Sequence, residues 1–141
     1  MVPVNQPHST TLPSAATATL TPATWTKLVL FTNNGESLNA TVDHTSDDIT
    51  ALKSGIYEVK FNVAFHAGAA ADINFAPHKD GALLQMRSTT TVGATSELHT
   101  VAGSGIVDFD ADNQVLDLRV KSDTSTTVTV TDMNLSLIRR N

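Results

Sequence analysis

The chain has no cysteine among its 141 residues, so disulfides and thiolate metal centres are both closed to it, and nothing marks an oxidising compartment. No apolar run approaches the ~20 residues that a membrane helix needs, and no membrane partner is expected. Basic residues are few: nine Lys and Arg stand against fourteen Asp and Glu, a net charge of -5. The only adjacent basic pair is Arg139-Arg140. Neutralising a phosphate backbone takes clustered cations, so no nucleic-acid partner is expected either. Aromatics amount to one Trp, one Tyr and five Phe, which leaves Trp25 alone as a sugar-stacking platform; at the start of a strand it reads instead as cover for the core. Helical periodicity is missing from end to end.

What remains is alternation. In residues 52–65 a Lys53-Ser54-Gly55 turn signal opens onto Tyr57, Val59, Phe61, Val63 and Phe65 on one face, with Glu58, Lys60, Asn62 and His66 on the other. Further strands are predicted at 25–31, ended by an Asn33-Asn34-Gly35 turn, and at 38–42 and 49–52. Residues 73–76 are expected to pair with 83–87 across Lys79-Asp80-Gly81. A polar loop follows at 89–95, then strands at 97–109, 115–120 and 127–138. In the last of these Val128 and Val130 fall on even positions but Met133, Leu135 and Leu137 on odd ones. The apolar face therefore switches sides, which predicts a β-bulge at Thr131-Asp132.

Residues 1–24 differ in composition. They are rich in Thr, Ala and Ser, and Pro3, Pro7, Pro13 and Pro22 break helices and spoil central strands. The segment reads as an extended N-terminal arm preceding one domain, residues 25–141. Val2, Val4, Leu12 and Leu20 are spaced along it as apolar anchors for a groove or sheet edge on a partner. The opening MVPVNQPHST has no basic n-region or apolar h-region, so synthesis in the cytoplasm without a secretory leader is expected.

Candidate chemistry is thin. Asp108, Asp110 and Asp112 stand two apart, as in the first half of a calcium loop, but the sixth position is Asn113 rather than Gly and the twelfth is Arg119 rather than Glu. Alternating aspartates in a strand-turn context more often form a solvated face or Asx-turns, so these three are weak metal candidates and no metal is expected. His8, His44, His66, His78 and His99 include no His-x-His pair, which counts against a cupin-like metal enzyme. Gly103-Ser104-Gly105 is not the G-x-S-x-G elbow of a nucleophile. No catalytic residue and no cofactor are expected.

Ser54-Gly55-Ile56-Tyr57-Glu58-Val59, followed at a distance by the turn from Phe109 to Leu118, resembles the tumour-necrosis-factor and C1q-like families, although Ala111 stands where their usual turn glycine would be. The resemblance covers roughly residues 25–140 and implies an all-β jelly-roll β-sandwich. It also implies a homotrimer in which one edge of each sandwich packs against the inner sheet of the next. Small residues supply a physical counterpart, and Ala64, His66, Ala102, Gly103 and Ser104 are the expected trimer interface. A cysteine-free acidic chain with a Pro/Thr arm and no collagen stalk looks, within those families, most like a bacteriophage virion protein. The expected role is capsid decoration, with the arm binding the major capsid protein at the virion surface. A receptor-binding or fibre head is the alternative, which the lack of heptads or a collagen repeat disfavours.

Overall fold

A computed structural model describes residues 4–5, 7–9, 16–29, 33–34, 40–43, 45–86, 88–93 and 97–140, with 4–5, 7–9, 16 and 33–34 known through their backbone alone. The described strands are β1 (Val4–Asn5), β2 (Pro7–Ser9), β3 (Ala16–Leu20), β4 (Thr26–Lys27), β5 (Asn33–Asn34), β6 (Ala40–Asp43) and β7 (Asp48–Ala51). They continue with β8 (Gly55–Ala67), β9 (Ala71–Lys79), β10 (Ala82–Leu83), β11 (Ser88–Val92), β12 (His99–Phe109), β13 (Gln114–Ser122) and β14 (Thr126–Arg139). There is no helix among the described residues, as the missing 3.6-residue period required.

Two antiparallel sheets face each other. The first runs β12-β8-β14, with β1, β2 and β3 along the far edge of β14 and β5 beyond β2. The second runs β10-β9-β13-β7-β6, with β11 also on β9 and β4 also on β13. Alternation sends Tyr57, Val59, Phe61, Val63 and Phe65 into the space between them, where they meet Ile73, Phe75, Leu116, Leu118 and Val120 of the second sheet. Phe65 and Phe75 bring their rings to 4.9 Å across this core, and Tyr57 and Phe109, on neighbouring strands of the first sheet, meet at the same distance at one end. The Tyr57 hydroxyl donates to the Lys53 carbonyl at 2.6 Å, so its polar tip is satisfied at the rim.

The expected bulge is present: the β14–β8 register shifts between Val130 and Asp132. That slip lets Val128, Val130, Met133, Leu135 and Leu137 all reach the core. The Lys79-Asp80-Gly81 turn is present too. Lys79 pairs with Ala82, and Asp80 and Gly81 take φ of 48° and 81°, the two positive values that a tight hairpin needs.

Several expected boundaries move. Residues 25–31 supply only a two-residue ladder at β4, prolonged by the Leu28 N–H donating to the Leu118 carbonyl at 2.9 Å; positions 30 and 31 lie outside the described residues. Asn33 and Asn34 pair with Pro7 and His8 instead of turning, and Gly35 lies outside the described residues. The hairpin after Gly81 pairs through β10 and one further bond, the Leu84 N–H donating to the Pro77 carbonyl at 3.1 Å, before the chain leaves the ladder. It returns as β11, where a polar loop was expected: Thr89 and Thr91 donate hydroxyl hydrogen bonds to Asn74 and Asp72 at 2.6 and 2.8 Å, while Val92 is buried. Threonine is β-branched and suits a half-buried strand.

The largest difference concerns the N-terminal segment. Ala16–Leu20 is a strand that pairs with Thr126–Val130, and Leu20, expected as an anchor for a partner, is 1% exposed within the core. Its side chain is therefore committed to its own domain. After β3 the chain crosses to the second sheet through a turn in which the Ala23 N–H donates to the Ser122 carbonyl at 2.8 Å. Ala23 sits at φ 58°, a left-handed conformation that costs an L-residue roughly 1–2 kcal/mol. Ala23→Gly is expected to relieve that strain and raise the unfolding midpoint slightly, the gain being trimmed by the added freedom of the unfolded chain. A thermal melt that falls would contradict this.

Candidate assembly surface

The residues of β8 that do not enter the core point away from it, and the registers of β12 and β14 set them in rows across three strands. At one end Asp108 and Arg140 flank Ile56, the Arg140 N–H donating to the Ile56 carbonyl at 2.7 Å. The next row is Ile106, Glu58, Ile138, then Ser104, Lys60, Ser136, then Ala102, Asn62, Asn134, then Thr100, Ala64, Asp132. His66 opposite Thr129 closes the series. The face is thus graded, with isoleucines at one end and small or polar side chains at the other.

Ile106 is 62% exposed, a large apolar side chain left in solvent on an otherwise ordered strand. Charge lies beside it: Glu58 takes Lys60 on one oxygen and Arg140 on the other, each at 3.7 Å. Across β8 and β12 the small side chains leave a shallow depression of about 350 Å³, lined by Lys60, Phe61, Asn62, Ala102, Gly103 and Ser104. Its lining offers an ammonium, an amide and a hydroxyl but no pair set for proton transfer. Among the described residues no three of His, Asp and Glu come together as a metal site.

Of the interface residues expected from sequence, Ala64, His66, Ala102 and Ser104 lie on this face. Gly103 needs correction. Only its backbone borders the depression, and a Cβ built on it would overlap the ring of Phe61, its cross-strand partner on the inner side. The glycine makes room for an aromatic within the same subunit, not for a neighbouring backbone. Gly105 serves Met86 in the same way, with a built Cβ 2.8 Å from its methyl carbon.

Ile56, Ile106 and Ile138 were not singled out from sequence. The alternation of β8 and β12 already points Ile56 and Ile106 outward, but only the register across strands shows that they sit in neighbouring rows with Ile138. Val4 pairs with Ile138 along the strand edge. Val2 and Leu12 lie outside the described residues.

The three aspartates are dispersed. Asp108 is on the outer face of β12, Asp110 sits 3.6 Å from the Lys79 ammonium, and Asp112 accepts the Ser54 N–H at 2.8 Å with Lys53 at 3.5 Å. The Ser54 N–H holds the Asp112 carboxyl below its usual 3.8, and hydrogen bonds led by the Thr45 hydroxyl bring Asp43 down to about 2. Both are depressed carboxylates. Their contribution is fully present above the unfolded value near 3.8 and is lost as pH falls through the folded value. Asp112→Asn and Asp43→Asn are therefore expected to flatten the loss of stability on acidification from about pH 4 towards pH 2, which denaturant melts across that window measure. An unchanged pH profile in both variants would contradict the assignment.

No protein-family profile and no curated protein sequence matches the chain. Solved structures do. Eiger TNF from S. frugiperda aligns over 99% of this chain and 93% of its own, with 9% identity and a TM-score of 0.71. Murine APRIL crystallised at pH 5.0 aligns over 99% and 100%, with 9% identity and a TM-score of 0.65. The fold is a TNF-like jelly roll. At 9% identity the likeness is one of backbone path, and side-chain chemistry has to be argued from this chain alone.

Proposed function

We propose that this TNF-like domain is a structural, non-enzymatic module: a homotrimer that decorates a bacteriophage capsid, made in the host cytoplasm and resident on the virion surface. The observation that carries the assembly reading is the outer face of β12-β8-β14, where Ile106 stands exposed in register with Glu58 and Ile138. An ordered sheet face with an exposed isoleucine at one end and small or polar side chains at the other suits close approach of a second subunit. Ile106→Arg is expected to convert trimer to monomer while leaving circular dichroism unchanged, because the side chain it replaces is in solvent in the single chain. If Ile106 is one of the few residues that dominate the interface, its loss weakens assembly by about 2 kcal/mol or more, roughly thirtyfold.

The capsid reading rests on composition: an acidic, cysteine-free chain with a Pro/Thr-rich leading segment. With Leu20 in the core, attachment falls to the residues before β3, with Val2, Val4 and Leu12 as anchors for the major capsid protein. Three copies acting together would strengthen a weak single attachment by ~10²–10⁴. Co-sedimentation with capsids stripped of the protein tests this. The Val2→Asp/Leu12→Asp double variant should remain trimeric and fail to bind, and undiminished binding by that variant would overturn the attachment role.

A further inference from the structure

The opposite face of the sandwich carries a second built feature. On the outer side of the second sheet His78 is only 2% exposed and Ala76 is fully buried, although both point away from the core. Trp25, on the crossing between β3 and β4, packs edge to face against His78 with ring centroids 5.1 Å apart, and the Lys121 ammonium lies 4.9 Å from the Trp25 ring. Trp25 therefore covers this face instead of the core between the sheets, which corrects the role expected for it. Leu20 and Leu28, both buried, fix the crossing on either side.

His78 Nδ1 lies 3.2 Å from the Ala76 carbonyl. Because a carbonyl only accepts, Nδ1 carries the proton in the neutral ring and a second proton must go to Nε2. The groups around it are already committed. Asp117, opposite His78 on β13, accepts both the Nε–H and a terminal N–H of Arg119, at 2.8 and 3.1 Å. Asp48, opposite Asp117 on β7, takes Lys27 of β4 at 3.2 Å. Lys121 is held on Trp25, and β10 offers only Leu83 as the cross-strand partner of His78. A charged imidazole here would be desolvated beside Arg119, and Asp117 would have to loosen its hold on Arg119 to stabilise it.

We propose that Trp25 and His78 form an acid-labile clasp, in which protonation of His78 at Nε2 lifts Trp25 and opens the crossing that carries β3 from one sheet to the other. Burial, with Arg119 adding to it, lowers the His78 pKa from its ordinary 6.5, which agrees with the geometry. The sign follows from this depression. The closed clasp binds the proton less well than the open one, so it is stable above 6.5 and loses stability as pH falls below that value. Each further pH unit multiplies the open-to-closed ratio by up to about ten, until the closed form also protonates. The clasp stands independently of the assembly reading.

Trp25 is the only tryptophan, so its emission reports the clasp directly in the full chain. Between about pH 7.5 and pH 5.5, above the carboxylate range, the emission should shift reversibly to the red while far-ultraviolet circular dichroism stays constant. His78→Phe, which keeps a ring against Trp25 but cannot titrate, should abolish the shift. A wild-type emission that does not move, or the same shift in His78→Phe, would overturn the proposal. Should that variant fold poorly, nuclear magnetic resonance on the wild type decides. His78 titrating below its ordinary value together with movement of the Trp25 indole resonance supports the clasp. His78 titrating at its ordinary value beside a stationary indole overturns it.

Discussion

A chain lacking residues 1–20 is expected to lose cooperative folding at temperatures where the intact chain is fully folded. The truncation removes the five residues of β3 that pair with Thr126–Val130, together with a Leu20 side chain buried to 1% exposure. It also strips β1 and β2 from the same edge of β14. Cutting one buried Leu back to Ala costs about 2–5 kcal/mol, against a total stability of about 5–15 kcal/mol for a typical domain. Losing the whole strand should use up most of that margin and expose a long unpaired edge to aggregation. Leu20→Ala is the milder probe and should lower the unfolding midpoint without abolishing the transition. An unaltered melting curve in the truncated chain would show that the segment is a tether after all.

The second large effect is at Gly103. A methyl group there would press into Phe61, so Gly103→Ala should destabilise by about 1–3 kcal/mol through overpacking. Gly103→Arg should fail to fold, and its loss of assembly would say nothing about subunit contacts. A smaller partner should restore room: Phe61→Leu combined with Gly103→Ala is expected to cost less than the sum of the two single changes, by about 0.5–3 kcal/mol for residues in contact. Additive effects in a denaturant double-mutant cycle would contradict the close packing of this pair.

Much of the sandwich was legible because its signals are local. Alternation in β8, the Asp80-Gly81 turn and the parity switch before the β14 bulge can each be read within a few residues. What was not legible depends on pairing at long range. Ala16–Leu20 is a run of small residues whose strand character comes from its ladder with residues more than a hundred positions away. Thr89 and Thr91 read as loop until Asn74 and Asp72 are placed opposite them. On the candidate surface, Ala64, Ala102 and Ser104 were found through the small residues expected to allow close approach and His66 through its place at the end of the long strand, and all four face outward. Gly103 was grouped with them although it shares the parity of the buried Val101, Val107 and Phe109, and the Phe61 ring against it agrees that it faces inward. The grading of the face from isoleucine to small and polar residues likewise needs the registers of three strands at once.

The central claim is that the outer face of β12-β8-β14 joins copies of this chain, and sedimentation equilibrium of the intact protein at micromolar concentration tests it most directly. The account expects a mass three times that of the 14.9 kDa chain, reduced to that of a single chain by Ile106→Arg with the fold retained. A wild-type protein of single-chain mass across that concentration range would contradict it, as would an Ile106→Arg variant that sediments as a trimer.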